Sequence, residues 1–211
     1  MNDWHQWHAQ YDEPGSPHAV RLAAVQRLIH EALDRAGPGR IAAISICAGQ
    51  GRDLLGTLAG HPRRNDVTAR LVEADARNAA VAGAEARFAG LTGIEVVVGD
   101  AAVSGVYAGA VPADLVLACG VLGNVSDADA ERTIHFLPGL CAPRATVIWT
   151  RHRMRPDLTP AVRRWFGKSG FEEVAFLTPL GMWGVGAHRL TGACAPFTPD
   201  VRMFTFVNQT P

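Results

Sequence analysis

Residues 41–53 read IAAISICAGQGRD and predict a β-strand, a tight turn and the start of a helix. The first six residues are apolar or small and rich in isoleucine, which favours a buried strand. Gly49 and Gly51 follow in the turn, where the absence of a Cβ lets the chain bend and a ligand approach the backbone. The N–H groups that begin the helix can bind an anionic or polar ligand. The stretch therefore predicts a nucleotide-like cofactor at the end of the first strand.

Acidic residues follow the next two predicted strands. A second strand over residues 68–73 ends in Glu73, and Asp75 lies two positions later. A third strand over residues 94–98 is followed closely by Asp100. Because the carboxyl ends of parallel strands meet at one edge of a sheet, we expect these side chains to line a single site. An acid at the end of the second strand is well placed to bind ribose hydroxyl groups.

This ordered set of residues resembles the class I S-adenosylmethionine-dependent methyltransferases, roughly over residues 40–178. The resemblance implies that Gly49 and Gly51 hold the methionine part of S-adenosylmethionine. It also implies that Glu73 binds the ribose, with Asp75 as the fallback, and that Asp100 binds the adenine amine. The residues expected to contact the cofactor are Cys47, Ala48, Gly49, Gly51, Asp53, Glu73, Ala74, Asp75, Asp100, Ala101, Cys119 and Gly120.

A fourth predicted strand, over residues 113–118, ends before Cys119 and Gly120. The resemblance implies that this backbone passes close to the sulfonium and its methyl group, and that S-adenosylhomocysteine is the product. Small residues in the following turn leave space beside the methyl group. Asn124 ends that turn and can bind a substrate through a hydrogen bond, although an asparagine that only forms the turn is the simpler interpretation.

The chain departs from the family pattern just before the glycines. The family usually has an acid two residues before its first glycine, and here that position is Ser45. The first glycine of the family triplet is replaced by Cys47. Asp53 lies near enough along the chain to compensate for the missing acid, although capping the following helix is its simpler role.

A nicotinamide-binding Rossmann fold is the main alternative for the same stretch. Its G-x-G-x-x-G fingerprint requires a third glycine at position 54, where this chain has Leu54. The leucine removes the close approach of helix and strand that the fingerprint needs, so the pattern favours the methyltransferase interpretation.

Composition limits the class of protein further. The 211 residues carry no net charge, 48% are hydrophobic, and no apolar run is long enough to span a membrane. This balance argues against a strongly basic nucleic-acid surface. The four cysteines show no C-x-x-C spacing, and the N-terminus lacks the pattern of a secretory signal. We expect a reduced, cytoplasmic protein without membrane or nucleic-acid partners, and a homo-oligomer is compatible with the sequence.

The order of predicted elements indicates the fold class. Strands and helices alternate over residues 41–168, which predicts an α/β, Rossmann-like, seven-stranded and mostly parallel sheet with helices on both faces. A short helix is expected over residues 101–108. Three β-like runs at residues 171–178, 184–190 and 202–207 have no helix between them, so we expect an antiparallel C-terminal strand pair.

The same pattern predicts one domain over residues 1–211. An N-terminal lid or helix region covers residues 1–36, a cofactor-binding core covers residues 40–178, and an antiparallel β tail covers residues 179–211. A helix over residues 18–36 has an apolar stripe, and its charged residues, Arg21 among them, are expected off that stripe.

Residues for chemistry beyond cofactor binding are fewer. His152 follows the fifth predicted strand and is the candidate general base, with a solvated loop as the alternative. Trp7 and Tyr11 belong to an aromatic N-terminal segment that can shape a substrate pocket or simply pack on the core. Histidines near the N-terminus lack further ligands, so we expect no metal site.

These observations favour methyl transfer from S-adenosylmethionine to a small-molecule acceptor by in-line substitution. A methyltransferase acting on RNA or protein is one alternative, although it predicts a basic face or an added recognition domain that is not evident. A cofactor-binding but catalytically silent module is another, because Ser45 and Cys47 depart from the family pattern.

Overall fold

The computed structural model describes residues 8–207, and the predicted substrate residue Trp7 lies outside them. The α-helices are α1 (Pro17–Arg35), α2 (Leu54–Gly60), α3 (Ala76–Phe88), α4 (Asp127–Phe136) and α5 (Thr159–Lys168). The strands are β1 (Ile41–Ile46), β2 (Val67–Glu73), β3 (Ile94–Val98), β4 (Ala113–Ala118), β5 (Cys141–His152), β6 (Phe171–Leu177) and β7 (Trp183–Leu190).

All seven strands form one sheet in the order β3-β2-β1-β4-β5-β7-β6. Strands β1 to β5 pair in parallel, whereas β7 is antiparallel to both β5 and β6. Helices α1, α2 and α3 contribute to the apolar core on one face, and α4 and α5 contribute to the core on the other. The predicted seven-stranded, mostly parallel sheet with an antiparallel C-terminal pair is therefore confirmed.

The prediction of a further strand at residues 202–207 is wrong. Both edges of β7 are already paired, with β5 and with β6, so no edge of β7 remains for another strand. The run instead makes isolated bridges, from Arg202 to Val103 and from Phe206 to Val125. Val103 and Val125 lie in the loops after β3 and β4, so the run crosses the carboxyl edge of the sheet. The helix predicted over residues 101–108 is only a 3₁₀ turn, Ser104–Tyr107.

Helix α1 brings a charged residue to the same edge. Ser16 caps the helix, its Oγ accepting the N–H of Ala19 at 3.1 Å. Val25 and Ile29 belong to the stripe that the helix buries. Arg21 lies four residues before Val25 on this stripe and is only 7% exposed, so the prediction that it lies off the stripe is wrong. No helix within residues 8–207 combines the length and the apolar character needed to cross a membrane.

His188 on β7 is buried in an aromatic environment behind the sheet. Its Nδ1 accepts the indole N–H of Trp149 at 3.1 Å, and its ring stacks on Phe166 with centroids 4.4 Å apart. Burial lowers the pKa of His188 to about 4, although the carboxylate of Glu173 opposes the shift. The accepting Nδ1 and the low pKa both indicate a neutral ring in the folded protein.

We expect the fold to lose stability as the pH falls from about 6.5, the pKa of an unfolded histidine, towards 4. In this interval His188 binds a proton in the unfolded chain but stays neutral in the folded protein. The free energy of unfolding therefore falls by about 3 kcal/mol over the interval. Urea unfolding at several pH values measures the effect. The variant His188→Gln keeps an acceptor for Trp149 and should show a flatter pH dependence, whereas His135→Gln, at an exposed position of α4, should behave as wild type. An unchanged slope in His188→Gln would contradict the assignment.

Candidate functional site

A cleft of about 1120 Å³ opens at the carboxyl ends of the parallel strands. Its walls combine the turns after β1, β2, β3 and β4 with the end of β5, the start of α1 and the C-terminal run. The sequence-predicted cofactor residues that line it are Cys47, Ala48, Gly49, Asp53, Glu73, Ala74, Asp75, Asp100, Ala101, Cys119 and Gly120. Gly51 is outside this lining.

The turn after β1 contains three residues in the left-handed region. Cys47, Gly49 and Gly51 have φ of 56°, 57° and 70°. A Cβ at Gly49 would lie 2.5 Å from Cε1 of His8, and one at Gly51 would lie 2.8 Å from Cδ1 of Leu55. Gly51 therefore serves close packing of strand and helix rather than the cleft surface. Cys47 adopts the glycine-like conformation that the family pattern expects at its position.

Glu73 at the end of β2 is a buried acid whose two carboxylate oxygens both accept backbone hydrogen bonds. It is only 9% exposed, and its Oε2 accepts the N–H of Gly49 at 2.8 Å. Its Oε1 accepts the N–H of Asp75 at 2.9 Å. Since each carboxylate oxygen has two lone pairs, both oxygens keep the capacity to accept another hydrogen bond. The carboxylate is thus fixed between two turns and ready for a ligand that donates.

Asp75 has a different role, at the start of α3. Its Oδ1 accepts the N–H of Arg77 at 2.9 Å, and the Arg77 guanidinium lies 2.7 Å from its Oδ2. The hydrogen bonds from Arg77 hold the pKa of Asp75 at about 2. Helix capping and this ion pair account for both oxygens, so Glu73 is the stronger candidate for ribose.

Asp53 and Arg21 place opposite charges beside the glycine turn. Asp53 caps α2, its Oδ1 accepting the N–H of Leu54 at 2.7 Å, which confirms the capping role. Burial raises the pKa of Asp53, and the N–H of Leu54 and the charge of Arg21 oppose that shift. The Arg21 guanidinium lies 4.5 Å from the ring centroid of Trp183 and donates to the hydroxyl of Tyr11. The sequence analysis did not predict Arg21 as a residue of the site. Its position on the apolar stripe of a helix could have indicated a buried charge.

The N-terminal segment reaches over the glycine turn. The imidazole of His8 packs against Gly49, and Asp12 forms an ion pair with Arg52 at 2.5 Å. Tyr11 lines the cleft as predicted, and burial raises the pKa of its hydroxyl. His8 and Tyr11 thus line the cleft beside the glycine turn.

Asp100 and the C-terminal run form the opposite wall. The Oδ1 of Asp100 accepts the N–H of Ala102 at 3.0 Å, and its Oδ2 lies 2.8 Å from Nη2 of Arg202. The N–H of Met203 donates to the carbonyl of Ala102 at 2.8 Å, which ties the run to the same loop. Further along, the cleft is lined by Phe204, Thr205 and Phe206. The long-range contacts that place this wall have no local sequence signal.

The turn after β4 is held by side chains at its two ends. The N–H of Gly120 donates to Oγ1 of Thr150 at 2.8 Å, and Nδ2 of Asn124 donates to the carbonyl of Gly120 at 2.6 Å. Asn124 lines the cleft but uses its amide to close the turn, as the simpler interpretation expected. Burial raises the pKa of the Cys47 and Cys119 thiols, so neither supplies a thiolate nucleophile.

His152 lies in the cleft at the end of β5, in register with Trp183 on β7. Its Cδ2 is 3.1 Å from the position that a Cβ of Gly123 would take. Its Nδ1 is buried and has no hydrogen-bond partner within the described residues 8–207. The structure therefore brings His152 to the predicted place, without a carboxylate from those residues to orient its ring.

Another polar cluster, at the far end of α1, bears on metal binding. His30, Asp34 and His61 hold three potential ligand atoms within 4.8 Å of one another. The Nδ1 of His61 accepts the N–H of Arg63 at 3.1 Å, so a neutral ring carries its proton on Nε2, 3.3 Å from Asp34. A metal-binding imidazole instead donates through its second nitrogen. Attraction between the rings and the carboxylate accounts for the cluster, and we assign it no metal.

Comparison with known proteins rests on structure alone. No protein-family model matches the chain, and no curated protein matches it significantly in sequence. Magnesium protoporphyrin IX methyltransferase from Synechocystis PCC 6803, solved with S-adenosylmethionine, matches with a TM-score of 0.69 at 11% identity. That match covers 90% of this chain and 92% of the other.

Two further structures show how widely the fold is used. CurJ carbon methyltransferase matches with a TM-score of 0.67 at 16% identity over 89% of this chain, which spans only 58% of that protein. The [4+2]-cyclase SpnF matches with a TM-score of 0.58 at 12% identity, covering 82% of this chain and 81% of the other. Likeness at such low identity establishes architecture. The chain has the fold of the class I S-adenosylmethionine-dependent methyltransferases.

Proposed function

We propose that this protein transfers the methyl group of S-adenosylmethionine to a small-molecule acceptor. The observation that carries the proposal is the buried Glu73 carboxylate, fixed inside the cleft by the amides of Gly49 and Asp75. An acid held in this way at the end of β2 suits the two hydroxyl groups of a ribose. The cleft of about 1120 Å³ is larger than many single-ligand pockets, which leaves room for a second small molecule.

The remaining polar groups of the cleft fit the other parts of the same cofactor. Asp53 offers a carboxylate for the ammonium of the methionine end, and Arg21 offers a guanidinium for its carboxylate. Asp100, at the end of β3, offers an acceptor for the exocyclic amine of adenine. These groups supply charges and acceptors of the correct sign for each end of the molecule.

The cofactor supplies a methyl group already activated by the sulfonium. The task of the chain is then to align the acceptor, exclude water and accept a proton where the acceptor carries one. A Cβ at Gly120 would meet no atom within 4 Å, so this turn leaves open space in the cleft. His152 lies at the same end of the cleft and is the candidate that accepts the proton at a ring nitrogen.

The alternatives receive less support. An RNA or protein methyltransferase is disfavoured by the absence of net charge on the chain and by the position of the proposed site inside a cleft. A silent binding module draws on the departures at Ser45 and Cys47 and on the buried Nδ1 of His152, which has no partner in residues 8–207. Calorimetric titration with S-adenosylhomocysteine followed by a labelled methyl-transfer screen separates these possibilities. Failure to bind the cofactor would sink the proposal, and binding without turnover on any acceptor would favour the silent module.

We expect Glu73→Gln to weaken S-adenosylhomocysteine binding by about 1–3 kcal/mol, which is about five- to 150-fold. The amide keeps the size of the side chain but can no longer accept hydrogen bonds at both ends. Asp75→Asn is the matched control, because asparagine still caps α3, and its affinity should stay within about twofold of wild type. Calorimetric titration measures both variants. Normal affinity in Glu73→Gln together with a loss in Asp75→Asn would assign the ribose to Asp75.

Asp100→Ala and Arg202→Ala break the same ion pair, but only Arg202→Ala keeps the Asp100 carboxylate in the cleft. We expect Asp100→Ala to weaken cofactor binding by about tenfold, because the acceptor for the adenine amine is lost. Arg202→Ala should change the affinity by less than about twofold, since the two side chains are half exposed and such pairs contribute little. Equal losses in the two variants would show that the ion pair, not the acceptor, matters.

With an acceptor identified, His152→Ala should lower kcat by about 10²-fold or more and leave the affinity for S-adenosylhomocysteine unchanged. The reason is that a general base acts on the acceptor proton and not on cofactor binding. Steady-state kinetics and titration on the same preparation test the split. A kcat equal to that of wild type would remove His152 as the base.

A further inference from the structure

We infer that the acceptor is an organic acid with an aromatic or otherwise apolar body, and that Arg151 binds its acidic oxygens. This inference rests on the proposed function, because it assigns the acceptor half of the same cleft. It depends on a buried arginine that the methyl-transfer chemistry itself does not require.

Arg151 is a buried cation at the floor of the cleft. It lies near the end of β5, in register with Gly184 on β7, and its side chain is only 6% exposed. A guanidinium stays protonated in proteins, so it cannot escape burial by losing its charge. A buried charge is costly unless an opposite charge and full hydrogen bonding offset it.

The partners of Arg151 within residues 8–207 offset its charge weakly. One Nη1–H donates to the carbonyl of Leu122, which is neutral. Its ion-pair partner is Asp127, with 3.3 Å between Nη2 and Oδ1, and the Asp127 side chain is 60% exposed. Asp157 adds a weaker attraction, but its carboxylate is paired with Arg153. The Nε–H is buried and has no hydrogen-bond partner in the same range. Arg151 therefore retains a charge that is only partly compensated and an unused Nε–H donor.

The indole N–H of Trp183, at the start of β7, is a second buried donor without a hydrogen-bond partner among residues 8–207. An indole N–H and a guanidinium N–H can only donate, so each requires an acceptor. The Arg21 guanidinium, 4.5 Å from the ring centroid of Trp183, is already assigned to the carboxylate of the cofactor, so Arg151 is the cation left for the acceptor. Carboxylate or phenolate oxygens are the ligand atoms that suit these donors.

The charges of the cleft are separated between its two halves. Acids that line it lie at the ends of β1, β2 and β3, where the cofactor is proposed to bind, and two of them are already paired with arginines. Asp127, the partner of Arg151, is not part of the cleft lining. The half formed by the ends of β4 and β5 and the start of β7 therefore contains the buried cation of Arg151 and no acid among the residues that line the cleft. An anion is favoured there over a neutral or cationic acceptor.

Aromatic side chains also line the cleft. Tyr11, Trp183 and Phe206 are among its lining residues, and Trp183 is in register with His152, the chain neighbour of Arg151. Flat apolar walls bury aromatic or planar molecules well and add little hydrogen bonding of their own. The combination of one buried cation with aromatic walls points to an aromatic carboxylic acid or an acidic phenol.

The first test uses the wild-type protein saturated with S-adenosylhomocysteine. Binding is measured by calorimetry for matched pairs of aromatic carboxylic acids and their primary amides, such as indole-3-carboxylate with indole-3-carboxamide and salicylate with salicylamide. We expect at least one acid to bind tenfold or more tightly than its amide. Amides that bind as well as the acids, or a panel in which nothing binds, would overturn the inference. Failure of S-adenosylhomocysteine itself to bind would instead refute the proposed function.

The second test uses Arg151→Gln with Arg153→Gln as the matched control. Arg153 is two residues away, pairs with Asp157 at 2.9 Å and does not line the cleft. Arg151→Gln should weaken the acid by tenfold or more and leave the amide and S-adenosylhomocysteine within twofold, and Arg151→Lys should recover part of the loss. Arg153→Gln should change none of the three. Equal losses for acid, amide and cofactor in Arg151→Gln would mean that Arg151 only supports the loop after β4. If that variant fails to fold, the acid and amide pairs still decide the inference.

Discussion

One buried carboxylate ties the cleft together. Glu73 accepts one N–H from the turn after β1 and another from the start of α3. If the two segments moved apart, the buried carboxylate would lose at least one of these hydrogen bonds. Loss of those hydrogen bonds in a buried site is expensive, which holds both turns in place before any ligand arrives. The same carboxylate is the proposed ribose acceptor. The hydrogen bonds that fix the two turns therefore also hold the carboxylate in the position proposed for ribose binding, so the site is preorganised.

The sequence predicted the part of the site that follows from local pattern. Glu73, Asp100 and Gly49 lie in the cleft because parallel strands bring their carboxyl ends to one edge, whatever the rest of the chain does. The C-terminal run was misassigned because its strand-like pattern says nothing about whether a partner edge is free. Arg151 was missed for a similar reason, since burial on β5 depends on the loop that covers it.

The two departures from the family pattern also have local explanations. Cys47 adopts a φ of 56°, so the turn keeps its shape at a small conformational cost without the first glycine. Ser45 is buried within β1 and offers no charge, whereas Asp53 at the cap of α2 lines the cleft. The carboxylate at this end of the site thus lies on a helix cap and not on the strand. The hydrogen bond between Asp53 and the first turn of α2 holds this carboxylate in place, so no acid on β1 is needed to supply a charge at this end of the cleft.

The buried cation of Arg151 also bears on the proposed methyl transfer. Where the acceptor atom is anionic, or loses its proton to His152, transfer from the sulfonium cation reduces the total separation of charge, so a site of low dielectric favours the transition state over the separated ions. A dry site can only hold an anion if a fixed cation replaces the lost water. Arg151 is buried and donates to the carbonyl of Leu122, which gives the acceptor half one such cation. Burial of Arg151, costly for the fold alone, is what the proposed anionic acceptor requires.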